Sequence, residues 1–154
     1  MLARDWAVRA QSSATAADFL AIVAETLVAA QQRSAGLVVA ALEAAHADAS
    51  MTALAAQLRS QRAETAAWIV DGLSMRAPLR DGLERDAAID TMWLLMDPHG
   101  FCARTGDRGW SPERFGGWFT DSVARLLLGP GGDGAAGTPS PTPPTTRQPR
   151  RPTS

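Results

Sequence analysis

Two histidines, one cysteine and an adjacent glutamine–arginine pair carry most of the distinctive chemistry in an otherwise Ala- and Leu-rich chain. His99 and Cys102 lie three residues apart and offer two metal ligands, whereas structural zinc generally takes four. His46 is far from both, and each histidine falls near a helix end, where an imidazole commonly satisfies carbonyls or the helix dipole. A Cys/His nucleophile pair would need an orienting third group and an oxyanion cradle, and no motif supplies them. The glycines at Gly129–Gly132 lead into a proline-rich stretch rather than a helix, so they do not form a phosphate loop. No catalytic residue, metal site or cofactor is read, and the chain is expected not to be an enzyme. Gln61 and Arg62 differ in kind. They interrupt the apolar stripe of a helix, so they either face water or anchor the polar group of a ligand in an apolar pocket.

Helices must position these residues. Ala is abundant, β-branched residues are sparse, and no useful length alternates with period two. A first helix is expected around Leu2–Ala10, with Trp6. A second over about Ala16–Gln32 places Phe19, Ile22, Val23, Leu27 and Ala30 on one face. A third, about Ala35–Ala47, is apolar nearly all round through Leu37, Val38, Val39 and Leu42, which suits the middle of a domain. Ser50 is the expected N-cap of a fourth helix running to Leu73, its stripe stepping through Met51, Leu54, Leu58, Thr65, Trp68 and Ile69. Gly72, Pro78 and Gly82 mark a connection. A fifth helix over Glu84–Met96 ends at Pro98 and Gly100. The last has the best-defined start: Ser111 as cap, Pro112 at the first helical position, Glu113 at the positive dipole end, and Trp110 and Phe115 spaced as a hydrophobic staple. The fold class is all-α, with five to six helices.

The 154 residues are 45% hydrophobic and 20% charged with a net charge of −1, which suits one globular domain and gives no electrostatic attraction to nucleic acid. One cysteine excludes an intrachain disulfide. With no membrane-length apolar run and no signal-peptide pattern, a cytoplasmic location without membrane association is expected. Composition changes at Gly129: residues 129–154 hold seven of the ten prolines and no large apolar side chain, and are expected to form a disordered tail. Residues 1–128 form the domain.

The stretch Glu84–Leu128 carries a resemblance. Asp90 lies three residues before Trp93, and a short loop ends in the Arg-Gly-Trp-Ser-Pro-Glu string of Arg108–Glu113. Phe115, Trp118 and the Leu-rich finish Leu126–Leu128 follow. This order resembles the last two helices of the TetR family of transcriptional regulators, and the helix order from Leu2 to Leu73 is similar to the family's as well. The resemblance implies a C-terminal effector-binding and dimerisation domain without the three-helix DNA-binding unit, so that this chain itself makes no specific operator contact.

It also implies an apolar cavity for a small, largely apolar effector. Trp6, Phe19, Val23, Leu27, Leu42, Leu54, Leu58, Met92 and Met96 are its candidate lining, and Gln61 and Arg62 its polar anchors. From the residues alone, the same apolar set also fits ordinary core. The family pairs its last two helices about a two-fold axis into a four-helix bundle. That implies a homodimer through Ile89, Trp93, Phe115, Trp118, Phe119, Val123, Leu126 and Leu127. The apolar band of the last helix is wide, and Gly116 and Gly117 within it permit close helix approach. A stand-alone dimerisation scaffold, or a heterodimer partner that takes no ligand, is the other reading.

Overall fold

A computed structural model of the chain describes residues 2–46 and 48–130, with side chains from residue 5 onward. The expected tail from residue 131 onward lies outside the described residues, as does the expected third-helix end at Ala47. The described residues are helical: α1 (Leu2–Gln11), α2 (Ala16–Ala44), α3 (Ala49–Ser74), α4 (Arg85–Leu95), the single turn α5 (Pro98–Cys102) and α6 (Pro112–Leu127). A π-helical turn, Ala103–Asp107, continues α5. No helix among these residues is long and apolar enough to cross a membrane.

The expected second and third helices are one. α2 runs for 29 residues, about 43 Å at 1.5 Å per residue. The polar run Gln31–Ser34 does not break it: Gln32 and Arg33 are exposed, and Gln31 and Ser34 find partners within the fold. Ser34 donates its hydroxyl to the carbonyl of Ala30, one turn back. Gln31 is buried and donates Nε2 to the Met96 carbonyl at 2.9 Å. Gly36, which would suit a break, sits on the exposed face with open space around its Cα. Nor is the second half of α2 the centre of the domain. Leu37 is 77% exposed, and from residue 35 to the end of α2 only Ala35, Ala41 and Leu42 are buried.

The helix starts follow capping chemistry. Thr15 accepts from the Asp18 amide at the start of α2, and Ser111 accepts from the Arg114 amide at the start of α6, with Pro112 next. At α3 the expected cap is displaced by two residues. Asp48 is the N-cap, and Ser50 donates both its amide and its hydroxyl to that carboxylate. The Trp110–Phe115 staple is replaced by other aromatic pairs: Trp110 meets Trp118 at 6.3 Å, while Phe115 turns inward onto Phe101 at 4.9 Å.

The core lies around the first half of α2, which packs against α1, α3, α5 and α6. Phe19, Leu20 and Val23 of α2 meet Ile69, Val70 and Leu73 of α3, Met92 of α4, and Phe115, Phe119, Val123 and Leu127 of α6, all buried. Arg76, just past α3, fixes α1 to this core. Its guanidinium donates to the carbonyls of Ala10, Gln11 and Ser13 at 2.7–3.1 Å and so ties the end of α1 and the turn after it to the end of α3. The end of α6 is tied back by an isolated antiparallel bridge between Leu79 and Leu128.

Candidate ligand cleft

Between α2, α3 and the α4–α5 corner the core leaves a half-open cleft of about 300 Å³. Its α2 wall is Leu27, Ala30, Gln31, Ser34, Val38 and Leu42; its α3 wall is Leu58, Arg59, Gln61, Arg62 and Thr65; Met96 and Pro98 close one side. The space persists because the α2 residues facing it at mid-length, Ala30 and Ser34, are small. Apolar walls with a few fixed polar groups are the usual makeup of a small-molecule site. The polar groups here are Gln31, held by the Met96 carbonyl, and the Gln61–Arg62–Thr65 turn, where Thr65 donates to the Gln61 carbonyl.

Arg62 is the most constrained polar group. Its guanidinium lies over the Trp93 ring, 3.8 Å from the centroid, and Nη1 donates to Asp97 Oδ1. Its Nε is buried without an acceptor. A stacked, ion-paired guanidinium forms a fixed wall, and its charge is already balanced by Asp97.

Of the expected lining, Leu27, Leu42, Leu58, Gln61, Arg62 and Met96 come together here. The other five do not line the cleft. Phe19, Val23 and Met92 are closed inside the core, at 0–2% exposure. Trp6 packs edge-on against Trp68 at 5.1 Å, on the α1 side of α3. Leu54 lies beyond the cleft and is 41% exposed. Ala30, Gln31, Ser34, Val38, Arg59, Thr65 and Pro98 were not anticipated. The signal for the α2 members was present: residues 27, 31, 34, 38 and 42 repeat at helical spacing. A helix break expected near residue 33 cut that stripe in two.

A second cleft of about 260 Å³ adjoins the first. Leu42, Arg59 and Arg62 border both, and Glu43, His46, Trp93, Leu94, Asp97 and His99 complete it. The two histidines, 53 positions apart, therefore share one cleft. The His46 Nδ1 is 3.2 Å from the Glu43 carbonyl, and the His99 Nδ1 is 3.5 Å from Asp97 Oδ1. Cys102 is not part of this cleft. Among the described residues, no three Cys, His or acidic side chains are grouped to hold a metal ion. The displaced carboxyl groups lie elsewhere. Hydrogen bonds from Arg85 hold Asp71 below the usual carboxylate range, Ser50 does the same for Asp48, and the Glu113 amide and the Ser111 hydroxyl do so for Glu113.

The expected dimer surface requires correction. Phe115, Phe119, Val123 and Leu127 are buried within their own chain, at 1% exposure or less, and cannot meet a partner. The band on α6 is wide because α2 and α4 both cover it. The close approach that Gly116 allows is made by α2: a methyl at Gly116 would lie 3.3 Å from Val28 Cγ2. Ile89, Trp93 and Trp118 are half-buried, and Leu126 is exposed. No family model matches the chain, and neither a curated protein nor a solved structure matches it.

Proposed function

We propose that the chain is an effector-sensing domain of the TetR type, which binds a small, largely apolar molecule between α2 and α3 and acts as a cytoplasmic homodimer without catalysis. The cleft carries this reading. Mainly apolar walls flank a half-open space of ligand size beside an immobilised Arg62. The capped start of α6 and the Arg108–Trp118 string support the family resemblance. On this reading the dimer forms through what α4 and α6 leave outside, namely Ile89, Leu94, Trp118 and Leu126; the last carries an exposed apolar side chain at the end of α6.

A thermal-shift screen of small amphiphiles tests it, with Ala30→Trp as the filled-cleft control. Ligand present at one hundred times Kd stabilises the folded state by about 2.7 kcal/mol. The expected result is a set of compounds that raise the Tm of the wild type by several degrees and leave that of the folded Ala30→Trp protein unchanged. A broad library without such compounds would favour a ligand-free dimerisation scaffold.

A further inference from the structure

The two clefts share a border of one apolar and two cationic side chains, Leu42, Arg59 and Arg62. Their linings differ in character. On one side of that border the walls are mainly aliphatic. On the other stand two imidazoles, two carboxylates and the Trp93 ring. The border cations also differ from each other. Arg62 is neutralised by Asp97 and pinned on Trp93. Arg59 is exposed and, among the described residues, forms no ion pair.

Resting on the effector-binding reading above, we propose that the two clefts are the two lobes of one site for an amphipathic monoanion. Its apolar body lies between α2 and α3, and its carboxylate or phosphate head sits at Arg59, facing the histidine lobe. The charges favour this assignment. Within the second lobe Asp97 is paired with Arg62, which leaves Arg59 and Glu43 as the remaining full charges. Glu43 is exposed at the end of α2, whereas Arg59 borders both lobes, so Arg59 is the cation within reach of a head group whose tail fills the first lobe. Arg62 is thus the partition between the lobes, and Arg59, to which sequence spacing assigns no role, takes the anchoring role expected of Arg62. The predicted ligand class is a straight-chain or flat acid rather than a neutral lipid or a cation.

Trp93 borders the head-group lobe and reports on it. Decanoate, decyl phosphate and decanol, each below its micelle threshold, are titrated while tryptophan emission is followed, with Trp93→Phe as the control for signal origin. Both anions are expected to bind at least tenfold more tightly than decanol and to change the Trp93 emission. Arg59→Met is expected to erase that preference while retaining decanol binding. Comparison of the two anions identifies the preferred head group. If decanol binds as tightly as the anions, or Arg59→Met keeps the preference, the anion assignment is overturned and the apolar cleft stands. If none of the three binds, the effector-site reading fails with it.

Discussion

Replacing glycine by alanine at two helical positions should move stability in opposite directions. Gly72 of α3 lies under the Phe19 ring: an added methyl carbon would sit 2.5 Å from Cζ and 2.8 Å from Cε2. That ring is fully buried, with Trp68 centred 5.7 Å away and the Arg76 guanidinium 4.6 Å from its centroid, so it has little room to withdraw. Overpacking a core costs about 1–3 kcal/mol. Alanine in place of glycine inside a helix offsets about 1 kcal/mol of that. Gly72→Ala is therefore expected to destabilise by up to about 2 kcal/mol. At Gly36 of α2 the methyl meets nothing within 4 Å, and the propensity gain of about 1 kcal/mol stands alone. For a domain of this size, Gly36→Ala should raise Tm by about 4 °C and Gly72→Ala lower it by up to twice that. Urea unfolding with unchanged slopes, alongside calorimetry, measures both. A Gly72→Ala protein stabilised by the full propensity gain, as Gly36→Ala is, would refute the packing of α2 on α3. A destabilised Gly36→Ala protein would mean that the chain breaks near residue 36 instead of continuing as one helix.

Three further outcomes follow from the same packing. Arg76→Met removes the donors to Ala10, Gln11 and Ser13 and should cost about 3 kcal/mol; hydrogen exchange should show α1 losing protection before the other helices. If the chain dimerises through the outer faces of α4 and α6, Leu126→Arg should give a folded monomer in sedimentation, because Leu126 is already exposed, whereas Phe119→Arg should unfold the chain by placing a charge in its core. Acid should weaken the fold in a defined direction. The folded-state pKa of Asp71 is depressed by Arg85, so this ion pair contributes fully above the unfolded carboxylate range, near pH 4, and is lost as pH falls through the depressed value. Both groups are exposed, so the effect is small. Asp71→Asn should lower the neutral plateau of a stability-versus-pH curve slightly and flatten its acid limb, leaving stability below the depressed value unchanged.

The helical class, the capped start of α6 and the approximate spans of α1, α3, α4 and α6 were legible in the sequence, because each depends on neighbours within about four residues. Ser111, Pro112 and Glu113 define a helix start whatever packs against it. The cap of α3 shows where local reading slips: Asp48 and Ser50 are both good caps, and the choice turned on which one the other donates to. The continuity of α2 was a tertiary matter. Gln31 looks like an interruption until the Met96 carbonyl, 65 positions away, gives its amide a buried partner.

The site divides in the same way. Residue type and spacing picked out Gln61 and Arg62 as unusual, and both line the cleft. The role of Arg62 depended on Trp93 and Asp97, brought over it by the fold. Amphipathic spacing identifies the apolar face of a helix but not what covers it. Phe115, Phe119, Val123 and Leu127 would make the same stripe facing a partner or facing α2 and α4. The sequence determined that this stripe leaves water, since burying apolar surface is favourable against any apolar neighbour. Only the three-dimensional arrangement of α2 and α4 decided that the neighbour is the chain itself.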